Sequence, residues 1–588
     1  MELTGSPVAS DALRALSSSL DVRRYGPLGS IAVPSFRGLP PEYTIVYRDG
    51  IRLTNEQIGE TDVGQLALNG ISEVELIPAS SAVLLGGDAA GTAINFVSRF
   101  NDTTVLRLAT EQTAYSHASV FEPSDYMFDI SEQPFSGLSL VAGGSLEEGN
   151  GRFPFLDTST NQYLLRQNND VLLRNAYLNG AWVIDTSLLA RITSNYFYAD
   201  RGVASTIDAR QTDEQSLVAL RLEKSWDKMS GAATVSYQSQ DEIYRDPSIP
   251  VADSGLARMF SLHLRTIVPI ASGTSLYAGS DVIHTELTGN TNALASNISI
   301  VDRNQVAGYS AIKLEPVSHW TAAAALRLEG FSDLAGPQLL PQFTLEYEPI
   351  EEFYASAAFS RSFHAPTLND LYWKGAGNPN LHPEHISTAQ LQVEYRPLFE
   401  RSHIELGATA FYSSISDEIL WTPVSATLYR PFNIDRVRTS GIEFHGALRT
   451  KVSESVQIDL EGSYTLLDAR DITPSTADSG HELPYSSPTR SLFIASVEFQ
   501  DLGSLSLVAR YRGHEFSTLD NDIENYYYYL QPATTYDLTI ASREFPLGQI
   551  SARCALTILN LSDLQYQEVL GYPLPGRTFT FSIQCNYH

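Results

Sequence analysis

Polar and apolar residues alternate with a repeat of two along much of the chain. In residues 404–412 (IELGATAFY) one face would hold Ile404, Leu406, Ala408, Ala410 and Tyr412, and the other Glu405, Gly407, Thr409 and Phe411. The same repeat occurs in 457–466 (QIDLEGSYTL) and 578–587 (TFTFSIQCNY). Because successive side chains of a β-strand point to opposite faces, each segment predicts a strand of about ten residues. One apolar and one polar face per strand is typical of a transmembrane β-barrel with a wet interior.

The connections between these segments alternate in length. Short connections are predicted at 396–402, 449–455, 500–504 and 545–549, and long polar ones near 364–386, 414–438, 468–490, 513–534 and 560–576. Short periplasmic turns and long outer loops are the pattern of outer-membrane barrels. The residues after 100 suffice for roughly 22 strands, the size class whose lumen is plugged. A soluble β-sandwich is the alternative, but the number and length of the strands favour the barrel. The strand count within 101–340 stays open.

The first hundred residues lack the two-residue repeat. Residues 10–20 (SDALRALSSSL) predict a short helix capped by Ser10 or Asp11. Residues 44–53 (TIVYRDGIRL) predict two short strands around the turn dipeptide Asp49–Gly50, and 71–79 another strand. We therefore expect a small α/β plug domain over 1–100 and a transmembrane barrel over 101–588.

Composition narrows the possible partners. The chain has 588 residues and a formal net charge of −29, which argues against binding to nucleic acid. Only two cysteines occur, Cys554 and Cys585, so a disulfide framework is excluded. No apolar run approaches the ~18 residues of a membrane-spanning helix. Residues 1–20 show neither the basic start nor the apolar core of a secretory signal.

Six segments together resemble the TonB-dependent outer-membrane receptors. Two lie in the predicted plug, SFRGLPPEYTIVYRDGIRL (35–53) and SAVLLGGDAAGTAINFVSR (81–99). Four lie in the predicted barrel, namely SFHAPTLNDLYWKGAGNPNLHPE (362–384), NIDRVRTSGIEF (433–444), ELPYSSPTR (482–490) and ILNLSDLQYQEVLGYPLPGRTFTF (558–581). Each segment alone is weak evidence, but six in the family's order cover nearly the whole chain.

The resemblance implies a transporter and not an enzyme. Such receptors sit in the outer membrane of Gram-negative bacteria as monomers, without a cofactor. They import scarce, large ligands such as ferric siderophores or cobalamin, which bind between the plug apex and the outer loops. The inner-membrane TonB complex then pulls on an N-terminal segment. Residues 362–384 favour a cobalamin-type corrinoid over a ferric siderophore.

Alternatives to this function stay open. One is a passive, porin-like channel, and another is a soluble, β-rich carbohydrate-active enzyme, which would need a pair of carboxylates in a cleft. The TonB-contacting segment and the first part of the plug are not visible in the sequence. An uncoupled receptor fragment is therefore a further alternative.

The family also pairs plug arginines with barrel glutamates inside the lumen. Arg37 matches one such arginine, and Glu394 and Glu443 match the glutamates. Both glutamates fall on the polar face of their strands, and a carboxylate on the lipid face would be costly. A pair between arginine and carboxylate is strengthened by charge and can be bidentate. Where the family usually carries a second Arg-Gly, this chain has Pro78 and Ala79, so we expect half of this lock to be absent.

Two further sets of plug residues are candidates. We expect the plug apex near 52–60, with Arg52, Asn55 and Gln57 as candidate ligand contacts. Gly86, Gly91 and Thr92 have the spacing of a phosphate-binding loop, but the lysine of that motif is absent, and Gly87 adds a third glycine to the segment. We interpret the three glycines as residues that allow tight packing at the end of the plug. The HPEH segment at 382–385 lacks the order of a zinc motif, and we expect no metal site.

Overall fold

The computed structural model describes most of the chain. The described residues are 9–27, 29–78, 84–87, 91–100, 104–116, 121–157, 160–203, 208–248, 251–291, 296–425, 428–474, 476–522 and 528–587. Within these ranges, neither α-helix is long and apolar enough to cross a membrane.

The N-terminal elements form a small α/β unit. They are α1 (Ala9–Leu13), β1 (Leu20–Arg24), β2 (Ala32–Phe36), β3 (Thr44–Arg48), β4 (Ile51–Arg52), β5 (Ile71–Pro78) and β6 (Thr92–Ser98), with 3₁₀ turns at Pro41–Tyr43 and Val63–Gln65. The predicted hairpin and strand are present, but the helix predicted over 10–20 is only the five residues Ala9–Leu13, and β1 begins at Leu20. Ser10 and Asp11 therefore lie inside α1 and not at its cap. Strands β1 and β2 pair, and β4-β3-β6-β5 form a mixed sheet in which β3 and β6 are parallel. The core of this unit contains Leu13, Leu20, Val22, Phe36, Val46, Val63, Ile94 and Phe96.

The remaining elements build the barrel and its loops. They are β7 (Val105–Tyr115), β8 (Phe121–Phe135), β9 (Leu138–Gly149), β10 (Pro154–Asp157), β11 (Gln162–Leu165), β12 (Val171–Asp185), β13 (Leu188–Gly202), β14 (Arg210–Trp226), β15 (Met229–Asp246), β16 (Val251–Ala271), β17 (Thr274–Thr291), β18 (Ser296–Val317), β19 (Trp320–Phe331), β20 (Gln338–Ile350), β21 (Phe353–His364), α2 (Leu368–Tyr372), β22 (Glu384–Tyr395), β23 (Ser402–Ser425), β24 (Leu428–Ser453), β25 (Val456–Asp471), β26 (Thr489–Phe499), β27 (Gly503–Arg512), β28 (Glu515–Phe516), β29 (Tyr529–Leu530), β30 (Ala533–Ser542), β31 (Phe545–Leu547), β32 (Ile550–Leu559), β33 (Gln567–Val569), β34 (Tyr572–Pro573) and β35 (Thr578–Tyr587).

The barrel is a closed antiparallel sheet of 22 strands. Each strand pairs with its neighbour in sequence, and β35 pairs back to β7. Strand β30 pairs directly with β32, and the short β31 continues that edge, so β30 and β31 count as one strand. The hairpins β10–β11, β28–β29 and β33–β34 lie in loops outside this sheet. The predicted fold class is therefore confirmed.

The two ends of the barrel differ. At one, the turn end, connections such as 136–137, 186–187 and 227–228 are very short. At the other, the loop end, connections include 365–383, 472–488, 513–532 and 560–577. The expected loop over 414–438 is wrong, because β23 and β24 continue as a paired hairpin to Ser425 and Leu428, with register shifts after Ser416. The residues there are polar because these strands extend beyond the apolar band of the barrel.

The apolar faces of the strands point outward. Leu406 and Tyr412 are 52% and 46% exposed, whereas Thr409 and Phe411, on the other face of the same strand, are buried. Exposed aromatic side chains lie close to the turn end, among them Phe135, Trp182, Trp226 and Trp320. An outward apolar band bordered by aromatic residues is the organisation of a transmembrane barrel.

This organisation predicts opposite responses to charge on adjacent residues of β22. Leu391 points outward and is 61% exposed, whereas Gln392 points into the lumen and donates a hydrogen bond to Glu394. We expect Leu391→Arg to destabilise the barrel by about 2–4 kcal/mol in urea unfolding in lipid vesicles. The matched variant Gln392→Arg should cost much less, because its charge faces water and acidic side chains. Equal losses of stability would contradict the assignment of the outer face to lipid.

Candidate functional site

A bidentate ion pair joins Arg37 of the plug to Glu443 of the barrel wall. Nε and Nη2 of Arg37 donate hydrogen bonds of 2.7 and 2.8 Å to the two carboxylate oxygens of Glu443. Nη1 donates a third, of 3.3 Å, to the side-chain oxygen of Gln390. The guanidinium also lies 4.3 Å from the ring centre of Phe411, and Arg37 is only 7% exposed. Desolvation and fixed geometry make this a strong plug–barrel contact.

The turn after β2 aims the Arg37 side chain at the wall. Arg37 has a φ of 53° and is followed by Gly38 with a φ of 70°. Left-handed backbone is uncommon for a residue with a side chain, so the surrounding contacts must offset this cost. A Cβ on Gly38 would lie 2.6 Å from Leu467 of the wall. This explains in physical terms why Arg-Gly occurs at this point of the plug.

Glu394, the second predicted partner, has other contacts. Its carboxylate accepts hydrogen bonds from Gln392 and from Arg396 at the turn end. Glu394 lies four residues beyond Gln390 on the lumen face of β22. The structure thus brings Arg37 together with Glu443, and it places Glu394 nearer the turn end with its own arginine.

Further ion pairs between the plug and the wall or loops of the barrel were not predicted from the sequence. They are Asp21–Arg490 at 2.7 Å, Asp62–Arg201 at 2.7 Å, Arg99–Asp129 at 3.0 Å and Arg14–Glu568 at 2.8 Å. The partners are separated by tens to hundreds of residues, and no local spacing marks them. The plug is therefore attached around its circumference, even though Pro78 and Ala79 stand where a second Arg-Gly was expected.

One of these pairs attaches a loop to the plug. Glu568, in β33 of loop 560–577, accepts hydrogen bonds from Arg14 and Arg24. Burial alone would raise the pKa of the Glu568 carboxyl, but Arg14, Arg24 and Arg512 outweigh it and lower this pKa to about 2. The edge of the Tyr25 ring also packs on Tyr572 in β34. Loop 560–577 thus folds inward and rests on the first plug strand.

The predicted apex residues lie between wall and loop. Arg52 pairs with Glu56 at 3.2 Å, and the Asn55 side-chain amide donates a 3.5 Å hydrogen bond to Glu242 of the wall. The Gln57 side chain lies against Gly255, where an added Cβ would come within 1.8 Å of its oxygen. All three side chains are partly buried, whereas Ile58 is 43% exposed.

A short helix of loop 365–383 covers the apex. In α2, the backbone N–H groups of Leu368 and Asn369 donate to the carbonyl oxygens of Glu56 and Gln57, at 3.2 and 3.1 Å. A capping box between Thr367 and Asp370 starts the helix. Backbone hydrogen bonds between loop and plug make the apex and this loop one surface.

Acidic residues accumulate beneath this surface. Burial raises the pKa of the Glu42 carboxyl to about 7, and the neighbouring Glu60 and Asp370 add to the shift. Burial also raises the pKa of Glu60. Next to Glu42, the Tyr43 hydroxyl donates a 2.5 Å hydrogen bond to Glu384 of the wall. Burial and the mutual repulsion of these carboxylates therefore favour the protonated forms of Glu42 and Glu60.

The plug glycines lie at close contacts. A Cβ on Gly87 would lie 2.6 Å from both Leu340 and Phe363 of the wall, and the carbonyl oxygen of Gly87 accepts from the Phe363 N–H. Gly91 donates a 2.9 Å hydrogen bond to the carbonyl of Tyr43. Gly86 is buried, and the residues between Gly87 and Gly91 lie outside the described part. The contacts of Gly87 and Gly91 support our interpretation that glycine allows tight packing at the end of the plug.

Comparison with known proteins identifies relatives over the whole length. Residues 114–561 match the family described as TonB dependent receptor-like, beta-barrel, and residues 1–93 match the TonB-dependent Receptor Plug Domain. The vitamin B12 transporter BtuB of Photobacterium profundum is 24% identical over 482 residues, covering 78% of this chain and 74% of the relative. BtuB of Vibrio cholerae serotype O1 is 22% identical over 605 residues, covering 99% and 90%. The siderophore receptor PirA from Acinetobacter baumannii superposes with a TM-score of 0.82 at 15% identity, covering 100% of this chain and 97% of PirA.

The Arg37 contact predicts how a variant affects plug retention. We expect Arg37→Ala to weaken the plug by about 1–3 kcal/mol, because Glu443 is left without its bidentate partner. Passive leakage of a small dye through the protein in vesicles should rise above that of the wild type. Glu394→Gln is the matched control, since Glu394 pairs with Arg396, and its leakage should stay at the wild-type level. Wild-type leakage in Arg37→Ala would contradict the lock.

The Glu42 pKa predicts a pH dependence of plug stability. A carboxyl with a pKa raised from 4.5 to about 7 in the folded plug binds protons more tightly there than in the unfolded chain. The plug therefore loses stability as the pH rises from about 4.5 to about 7. We expect Glu42→Gln to stabilise the plug by about 1–3 kcal/mol at pH 8 and to have little effect at pH 4. Urea unfolding at both pH values tests this, and an equal effect at both would contradict it.

Proposed function

Because this chain belongs to the TonB-dependent receptor family, we propose that it imports a scarce, large ligand of the corrinoid type across the outer membrane by TonB-dependent active transport. The protein resides in the outer membrane of a Gram-negative bacterium, and its family consists of receptors and transporters. Our proposal concerns the class of ligand and the coupling of transport to the TonB complex. A ferric siderophore is the second candidate, favoured by the likeness in fold to PirA.

The observation that carries this proposal is the double closure of the lumen. The plug is held to the wall by Arg37 and Glu443, and α2 of loop 365–383 hydrogen-bonds over the apex. A lumen closed in this way argues against a passive channel. Passage requires both the loop contact and the plug contacts to rearrange, and an external energy source is the reasonable driver.

The preference for a corrinoid rests on sequence similarity. Two curated relatives, which cover 78% and 99% of this chain, are named vitamin B12 transporters, at 24% and 22% identity. The segment that resembles the family in loop 365–383 is the one that contacts the plug apex. We propose that Asn55 and Gln57 contact the ligand once α2 has moved away.

Uptake of labelled ligand tests this function in cells that lack their own receptors for cobalamin and ferric siderophores. Cells with this protein in the outer membrane should accumulate labelled cyanocobalamin, and deletion of TonB should abolish the accumulation. Accumulation independent of TonB would identify a passive channel. Uptake of ferric siderophores without uptake of cyanocobalamin would show that the ligand is a siderophore and not a corrinoid.

Apex variants locate the binding surface. We expect the double variant Asn55→Ala, Gln57→Ala to weaken cyanocobalamin binding by about tenfold, equivalent to ~1.4 kcal/mol. The control is Glu73→Gln, at an exposed position in β5 of the plug, which should bind like the wild type. Wild-type affinity in the double variant would place the ligand elsewhere.

A further inference from the structure

A histidine and two glutamates converge on the lumen wall, on the turn side of the pair between Arg37 and Glu443. Glu394 in β22, Gly407 in β23 and His445 in β24 are directly opposite one another in neighbouring strands. Glu405 lies two residues before Gly407 and therefore on the same face. One ligand atom from each of Glu394, Glu405 and His445 lies within 4.8 Å of the others.

Gly407 makes this approach possible. A Cβ at position 407 would lie 1.9 Å from Cε1 and 2.3 Å from Nε2 of the His445 imidazole. The imidazole therefore occupies the space that any other side chain would fill, and its Nε2 lies 3.5 Å from Oε1 of Glu405. Three hydrogen-bonded strands hold these donors, so the set is more rigid than one built on a loop.

The donor set suits a divalent transition metal. A neutral imidazole and two carboxylates are ligands of Zn²⁺, and sites with three protein ligands leave a position for water. His445 and Glu405 are both partly exposed to the lumen, so an ion can reach them from water. Glu394 is buried and accepts hydrogen bonds from Gln392 and from Arg396, whose side chain is 43% exposed. An ion bound to Glu394 would therefore compete with Arg396 for this carboxylate.

We propose that Glu394, Glu405 and His445 bind a divalent transition-metal ion such as Zn²⁺, with water completing its coordination. The proposal is independent of the transported ligand, because these side chains lie on the turn side of Arg37 and away from the apex. The ion would link β22, β23 and β24 through their side chains. No spacing in the sequence predicts the site, because each of the three ligands comes from a different strand.

Titration of the purified full-length protein with Zn²⁺ against a chromophoric chelator tests the site. His445→Ala should lose one bound equivalent or bind it at least about tenfold more weakly. His403→Ala is the matched control, because His403 lies in β23 outside the cluster, and it should keep that equivalent. Wild-type binding in His445→Ala, or an equal loss in His403→Ala, would overturn the proposal.

Two further variants distinguish the loss of a metal ligand from the loss of the folded structure. Glu405→Gln keeps the size of the side chain and removes a ligand charge, so it should weaken Zn²⁺ while urea unfolding stays at the wild-type level. Arg396→Ala removes the cation that competes for Glu394, and should tighten binding by about threefold or more. Unchanged affinity in Glu405→Gln would overturn the site, and unchanged affinity in Arg396→Ala would remove Glu394 from it.

Discussion

The need to pair every backbone N–H and C=O in the bilayer governs this molecule. A sheet in lipid has no water to satisfy its edges, so it must close on itself. Here β35 pairs with β7 over the full length of β35, from Thr578 opposite Tyr115 to Tyr587 opposite Leu106. Closure over 22 strands creates a wide lumen, which the plug fills in this protein. The ion pairs of the plug and the inward loops are arranged inside this closed wall.

Charged side chains inside the lumen are paired at the sides of the plug, but acidic side chains crowd together near its top. Where a plug cation meets a wall or loop carboxylate, as at Arg37 with Glu443 or Arg14 with Glu568, charge is compensated and the contact is firm. Below the apex, Glu42 and Glu60 crowd together in a buried space, and burial favours their protonated forms. The plug is thus fixed around its sides, while its top is sensitive to protonation.

The fold could be predicted from the sequence because its governing signals are local. The two-residue alternation places Leu406 outside and Thr409 inside, and connection length separates the two ends of the barrel. The hairpin around Asp49–Gly50 is equally local, since both residues have the positive φ that the turn requires. The prediction failed over 414–438, where polar composition was taken for loop although β23 and β24 remain paired above the bilayer.

The site was predictable only in part. Arg37 and Glu443 were found because a resemblance to a family supplied both ends of the contact. The contacts Asn55–Glu242 and Asp62–Arg201 join residues that are far apart in sequence. The alternation along a strand predicts which face a side chain is on, but it does not predict how far along the lumen that side chain lies. The helix α2 over the apex was missed for the same reason, since nothing in its sequence specifies what lies beneath it.

The seam between β35 and β7 also has a kinetic meaning. Every other neighbouring pair in the barrel can form as a hairpin or as an addition to the preceding strand, whereas this pair joins Thr578 to Tyr115. Contacts between such distant residues form slowly, because the intervening chain must be ordered first. Plug residues contact wall residues from Asp129 to Arg490, so these partners of the plug lie on strands between the two that form the seam. Pairing of β35 with β7 is therefore the slow contact that completes the wall around the plug.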